Sequence, residues 1–527
     1  MKPLSRRETV LACLVFVLGL VLYVRTLAPS VLLGDSSEFQ VLAYTLGIAH
    51  NTGYPIYLLI GKLFTFLPVG DVAYRVNLLS AVSAAAALVE VYLIGFLLSG
   101  RRYLSLLGPL LLAINALFWW QAVIAEVYTP AAAFTGGVLL FVLLYGQNAR
   151  PRNLFIAGLL GGLSLGVHTL TALAAPAVLL YLLVKKANRQ SWRAALLGGL
   201  IGFLLFALSF VMLDAYGHPT SMTANFRIHA SAYGLQPEDF DSAWTRISFI
   251  FFSRQWRGQM FSGTSQDVNN NLDVYLNRTW STFGMAFNFL ILIGTIGLFT
   301  PRSDLPGRWK EGLLLMGSWL AMMIFLVNYR VGDLEVFFIP LYVILAAFLT
   351  VGASQVVAGI MSFLRALHLD KPLARGLVGL VLASLCLWSA WTYLQPVEKS
   401  IRQGRIAFLD ESRLYYPYPV LDPGYPLREG RRIASLVEDD AILFIDWNML
   451  YAACYAAHVE QKRSGIACYE PMPFGTNERF ADSALEFVRQ NVDQRPIYFS
   501  VIPENLKGLY RFRQVGFTYP LYRLMKK

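Results

Sequence analysis

What this 527-residue chain most lacks is charge: Asp, Glu, Lys and Arg together make up 15% of it, where a soluble domain carries about a quarter. That deficit excludes an ordinary water-soluble globule and points to lipid as the solvent. Cysteine is also scarce. Of the four, Cys13 and Cys386 fall in apolar runs, where a thiol behaves as a small hydrophobe. Cys454 and Cys468 stand in the C-terminal tail and could pair in an oxidising compartment, although no spacing requires it. No His/Cys/Asp/Glu cluster shows metal-ligand spacing, so the sequence assigns no cofactor and leaves the use of a divalent metal open. No Rossmann or phosphate-loop glycine motif appears, which argues against a nucleotide-sugar donor. Nor is there an internal repeat of the kind that marks a transporter's duplicated halves.

What is present is apolar: 56% of the residues are hydrophobic, in runs long enough to cross a bilayer from Val10 to Leu394. We place eleven spans, at 10–28, 76–98, 104–118, 130–146, 154–167, 171–184, 196–213, 284–300, 312–327, 336–358 and 376–394. The first has a basic start (Lys2, Arg6, Arg7) like a signal sequence, but no small-residue cleavage site follows, so it counts as a helix. The pair around Gly166-Val167-His168-Thr169 is read as two short helices meeting near His168. The fold class expected is an α-helical polytopic membrane protein over 1–395, with outward loops at 29–75 and 214–282. A small soluble α/β domain follows over 396–527. There, Ala441–Ile445 and Arg495–Val501 read as strands, and Asn448–Glu460 and Asp482–Asn491 as helices. Tyr415-Tyr416-Pro417-Tyr418-Pro419 reads as a connector.

Nine of the net +11 charges lie within residues 1–395, between apolar runs. Basic residues there set membrane orientation, so no nucleic-acid groove is needed and no nucleic-acid partner is expected. Seventeen of them, Arg101, Arg102, Lys185 and Lys186 among them, cluster in the short loops on the N-terminal side. We therefore expect the N-terminus in the cytoplasm and the tail outside, across what we read as a bacterial plasma membrane.

The first outward loop carries the chemistry. It reads Gly34-Asp35-Ser36-Ser37-Glu38-Phe39-Gln40, then an apolar pattern, then Gly47-Ile48-Ala49-His50-Asn51-Thr52-Gly53-Tyr54-Pro55. Phe39, Leu42, Ala43 and Leu46 share one helical face, as in an amphipathic helix along the membrane surface. Pro55 opens a second short helix. Asp35 with Glu38 fits a capping box; it also fits a general base with a second carboxylate that orients it or shifts its pKa. His50 is either hydrogen-bonded structure or a donor to a phosphate or sugar hydroxyl.

The stretch GDSSEFQVLAYTLGIAHNTGYPIYLLIGKLF, with YRVNLLSA at 74–81, resembles the signature of the domain of unknown function 2723 family. That family sits in the GT-C superfamily of glycosyltransferases, beside the protein O-mannosyltransferases. The resemblance continues through Ala125–Tyr128 and Gly162–Thr169 and weakly into Asp446–Tyr451. It implies a GT-C-like fold, with Asp35 as the catalytic carboxylate and Glu38 beside it. Tyr54 lies within the same motif and is a candidate binding residue. Ser37 and Asn51 depart from the glycine and proline that family members often show.

Glu126 sits in an outward turn after Trp119 and Trp120, as either an interfacial acid or a functional one. His168 lies at the tip of the short helical pair. Topology thus sends Asp35, Glu38, His50, Glu126 and His168 to one face. Arg75 and Arg330 are candidates to hold a lipid phosphate; alternatively Arg330 pairs with Asp333 or Glu335. The long loop offers Arg227, His229, Arg254, Trp256 and Arg257. Asn277-Arg278-Thr279 is a formal glycosylation triplet with no assigned role. The function expected is an inverting membrane glycosyltransferase that moves a sugar, mannose being one candidate, from a polyprenyl-phosphate donor to a protein or glycan hydroxyl. Membrane lipids are its other partners. A transporter or lipid flippase, or a non-catalytic scaffold, stands as the alternative.

Overall fold

A computed structural model describes residues 5–300, 308–368, 422–472 and 479–527, with 376, 377, 379, 380, 384, 387, 388 and 391 between. Helices run through the first ten expected spans; most of 376–394 and all of the Tyr415–Pro419 connector lie outside the described residues. Among the described residues, six helices are long and apolar enough to cross a membrane: Arg6–Arg25 (α1), Val72–Ser99 (α4), Tyr128–Asn148 (α7), Arg189–Tyr216 (α10), Trp309–Val327 (α14) and Leu334–Ala366, the last containing α15 (Ile339–Ala366). Two bent pairs qualify if each is one span. Leu104–Ala113 with Ala116–Ala122 turns by 68°, and Ser265–Trp280 with Gly284–Phe299 by 106°. The second pair forms one kinked helix, α13 (Ser265–Phe299), whose first half occupies part of the expected long loop because Thr264 and Asp267 cap it. The short helices Pro151–Ser164 (α8) and Ala175–Val184 (α9) meet at His168 as expected. At 14 and 10 residues they are too short to cross alone.

Burial sorts these helices. α15 is enclosed nearly throughout, from Ile339 to Val351, and forms the axis of the bundle. α1 and α10 leave Leu14, Leu18, Leu196, Leu200, Leu204 and Leu208 bare, as lipid-facing helices do. Between helices, close approach depends on small residues. A Cβ on Gly352 of α15 would stand 1.8 Å from the Leu290 carbonyl oxygen of α13, and one on Gly294 1.9 Å from that of Phe348. At the end bearing the basic short loops, side chains tie neighbouring helices: Lys185 to Glu311 at 2.8 Å, Arg102 to Glu8 at 3.0 Å, and Arg308 to the Leu97 carbonyl at 2.6 Å.

At the opposite end lie the short helices Gly34–Thr45 (α2) and Pro55–Phe64 (α3), under the tail. The tail folds around a five-stranded sheet in the order β2-β1-β3-β5-β4. Its strands are β1 (Ile442–Phe444), β2 (Ala467–Tyr469), β3 (Ile497–Phe499), β4 (Arg511–Gly516) and β5 (Leu521–Met525). β1 runs parallel to β2 and β3; β5 is antiparallel to β3 and β4. Helix Trp447–Cys454 follows β1 and packs on α2.

α2 is therefore not an amphipathic helix on the membrane surface. Every residue from Ser36 to Ala43 is buried, because α3 and α4 cover one side and the tail helix covers another. A chain of buried amides pins it. Gln40 accepts from the Leu32 N–H at 3.1 Å and donates to Asn77 of α4 at 2.7 Å, and Asn77 donates to the Ala28 carbonyl at 3.0 Å.

Gly352→Val is expected to push α13 and α15 apart and to lower stability by about 1–3 kcal/mol, the usual cost of overpacking. Thermal unfolding in detergent reads it. Gly161→Ala, with nothing within 4 Å of the added carbon, should leave the transition where it was.

Candidate active site

α2 begins just before Asp35, with Leu33 as N-cap and no side-chain cap. Asp35 and Glu38 are thus not a capping box. Glu38 instead spends both oxygens on His50: Oε1 accepts the His50 backbone N–H at 2.8 Å, and Oε2 meets the ring at Nδ1. Glu38 is fully buried, and a buried carboxylate needs such pairing to stay ionised. Burial pushes the Glu38 carboxyl up, and His50 opposes that. On His50, burial favours the neutral ring, but the Glu38 and Asp35 carboxylates outweigh it and raise the imidazole from 6.5 to about 10. The His50 ring is therefore protonated at neutral pH.

The turn between His50 and α3 is forced by glycine at one point. Gly53 has φ +85°, and a Cβ there would meet the Phe210 ring at 2.7 Å. Tyr54 follows, its hydroxyl donating to the Asn51 carbonyl at 2.9 Å. Its ring stands edge-on to Phe39 and to His50, with centroids 5.3 Å away in each case.

Asp35 is the exposed member of the group, with 38% of its side chain accessible against 18% for His50. Its Oδ2 lies 3.7 Å from His50 Nε2, and its Oδ1 accepts the indole N–H of Trp447 at 2.7 Å. Behind it, Ser36 donates to the Glu126 carboxyl at 3.0 Å. Burial, then the Asp35 charge, pushes the Glu126 carboxyl well above its ordinary range. His168 accepts from the Leu170 N–H at Nδ1, 3.2 Å away, which leaves the ring proton on Nε2. Burial and the positive His50 lower it to about 4, so it is neutral.

These groups border a cleft of about 750 Å³. Asp35, His50, Tyr54 and His168 line it; Glu38 and Glu126 stand behind that wall. Tyr128 and Phe337 also line it, their rings contacting each other and His168 at centroid distances of 5.1–5.7 Å, and Tyr329 packs on Phe337 at 5.6 Å. Trp256 from the long loop and Trp447, Glu470 and Met472 from the tail complete it.

The two arginines do not reach this lining. Arg75 donates to the carbonyls of Val69, Thr65 and Gly70 at 2.7–3.0 Å, closing its own loop. Arg330 donates to Gln259 and lies 3.9 Å from Asp267, not beside Asp333 or Glu335. Glu335 pairs with Arg278 instead. Arg227 pairs with Asp241, and His229 hydrogen-bonds the Glu470 carbonyl. Sequence reasoning passed over Asp333 and Glu470 as cleft groups. Burial raises them to about 6 and about 8, an environment that only the tertiary structure creates. It passed over Trp447 too, although the weak resemblance at Asp446–Tyr451 touched it. Among the described residues no group of three or more His, Cys, Asp or Glu side chains is arranged to hold a metal ion.

Residues 35–191 match the family model described as the Protein O-mannosyl-transferase TMEM260 N-terminal domain, not one named for domain of unknown function 2723. The chain is 23% identical over 347 residues, 61% of its length, to Protein O-mannosyl-transferase tmem260 of Dictyostelium discoideum. It is 32% identical over 143 residues, 27% of its length, to the Mus musculus protein of that name. It spans 41% and 20% of those two relatives. Among solved structures, ArnT from Cupriavidus metallidurans bound to undecaprenyl phosphate aligns over 98% of both chains, with a TM-score of 0.58 and 14% identity. An Archaeoglobus fulgidus oligosaccharyltransferase tethered with an acceptor peptide aligns over 93% of this chain and 69% of its own, with a TM-score of 0.53 and 13% identity. At such identities these two likenesses show the fold, which is the GT-C-like one expected.

A histidine raised from 6.5 to about 10 contributes stability that is fully present below pH 6.5 and is lost as pH rises through about 10. The Tm gap between wild type and His50→Gln is expected to be widest near pH about 6 and to close above about 10. A gap constant over that range would show that His50 is not held protonated.

Proposed function

We propose that this chain is a GT-C-type membrane glycosyltransferase that transfers a sugar, with inversion, from a polyprenyl-phosphate donor to an acceptor hydroxyl. Asp35 carries the reading. It is an accessible carboxylate on the wall of a cleft at the membrane end of the tail, fixed by one oxygen and leaving the other without a hydrogen bond among the described residues. In the reaction the acceptor O–H gives its proton to Asp35, and the acceptor oxygen bonds to C1 of the sugar. The C1–O bond to phosphate breaks, and its electron pair leaves with the polyprenyl phosphate. Glu38 acts through His50, holding the imidazolium that faces the cleft. His50, Tyr54 and His168 are the substrate-facing polar groups. Glu126, behind them, supports the loop through Ser36. Neither Arg75 nor Arg330 lines the cleft, so the leaving phosphate relies on His50 there.

The names of the relatives support mannose as the sugar and protein as the acceptor, and the undecaprenyl phosphate named with ArnT supports the donor class. The lining agrees in kind. Aromatic rings for the apolar faces of a sugar stand beside carboxylates for its hydroxyls, with no Lys or Arg among the described lining residues. The basic loops at the far end support a cytoplasmic N-terminus and an extracytoplasmic cleft. The relatives named are eukaryotic and lend no support to a bacterial membrane.

Wild-type membranes supplied with polyprenyl-phosphate mannose are expected to transfer it. Expression-matched Asp35→Asn should lose about 100-fold or more in kcat, as loss of a general base does. Full transfer by the variant would place the base elsewhere. The same assay with and without chelator and added Mn²⁺ reads metal dependence.

A further inference from the structure

We infer that Trp447, from the tail, is a positioning residue of the transfer reaction: its indole N–H holds Asp35 Oδ1 and thereby makes Oδ2 the atom that takes the acceptor proton. This inference rests on the function proposed above.

The contact joins residues 412 positions apart in sequence, at 2.7 Å between Trp447 Nε1 and Asp35 Oδ1. A hydrogen bond from a neutral donor to an ionised acceptor is short and among the stronger ones in proteins. Indole N–H is a donor only. It cannot accept the proton during turnover, and it occupies the oxygen it binds. The other oxygen, Oδ2, lies 3.7 Å from His50 Nε2, too far for a hydrogen bond. Among the described residues it therefore carries no hydrogen bond, on a carboxylate that lines the cleft and is held by its other oxygen.

Trp447 is itself rigidly placed. It opens helix Trp447–Cys454, whose N-cap Asp446 accepts from the Asn448 N–H at 3.2 Å and donates its own N–H to Ser500 at 2.9 Å. One turn later the Tyr451 hydroxyl donates to the Thr220 carbonyl at 3.0 Å, tying the same helix to the long outward loop. The Trp447 ring stands edge-on to His50, with centroids 5.9 Å apart, and lines the cleft. One tail residue thus touches Asp35 and His50. The tail is part of the catalytic apparatus, and an acceptor entering the cleft passes against it.

Trp447→Phe keeps the ring and deletes the N–H. It is expected to lower kcat about 10- to 100-fold, as loss of a hydrogen bond to a charged group does. The donor KM should change less than about threefold, because the contact orients the base and does not bind the donor. The Asp35→Asn/Trp447→Phe double variant should be no slower than Asp35→Asn alone, since both changes act through one carboxylate. Independently of turnover, the ultraviolet resonance Raman signature of a hydrogen-bonded indole, isolated as wild type minus Trp447→Phe, should vanish in an Asp35→Ala background. Wild-type kcat in Trp447→Phe, multiplying losses in the double variant, or an indole signature unchanged in Asp35→Ala would each overturn the inference. If the signature does vanish while Asp35→Asn keeps full transfer, the contact stands, but the base assignment and Trp447's catalytic role both fall.

Discussion

The structure of this site depends on the pairing of a buried acid with a histidine at the cleft wall. Glu38 is fully buried, and both its oxygens are taken by His50, one by the ring and one by the backbone N–H. The pair closes the first outward loop on itself, since one partner is on α2 and the other lies beyond its C-terminus. It also fixes what surrounds Asp35: a positive ring on one side and behind it the buried Glu126, whose carboxyl burial pushes up. One acid is thus paired with His50, one is buried against Ser36, and one lines the cleft. Three carboxylates close in sequence or space have three different surroundings.

Such a loop would not hold this shape by itself. α2 has buried residues all round, so it needs cover on more than one side. α3 and α4 supply one side through the Gln40–Asn77 amide chain; the tail supplies another through Trp447 and Lys462. The membrane bundle below is rigid for its own reason, the glycine contacts that bring α13 and α15 backbone to backbone. A carboxylate that must meet a reacting hydroxyl within a few tenths of an ångström is then supported by rigid elements above and below.

Among the described residues no arginine lines the cleft. Arg75 and Arg330 both satisfy local carbonyl and amide groups, leaving His50 as the positive group on the wall near Asp35. A histidine held protonated by two carboxylates combines charge with a ring that packs on Phe39, Tyr54 and Trp447.

The sequence by itself determined much of the fold. Helix-length apolar runs, the basic short loops and the alternating strand and helix signals of the tail are local properties, readable because lipid and backbone impose their demands over about twenty consecutive residues. It also brought Asp35, Glu38, His50, Glu126 and His168 to one end, since alternating spans leave few choices of side. It did not reveal that Glu38 binds His50 and does not cap α2, that α2 is buried, or that both arginines turn away from the cleft. Those outcomes depend on partners tens to hundreds of residues distant, and on which of several nearby donors gets closest. Asp333, Glu470 and Trp447 are cleft groups only because the tail and the loop after α14 come together around one cleft. No periodicity or spacing encodes that closure, because it comes from packing of surfaces that local sequence does not specify.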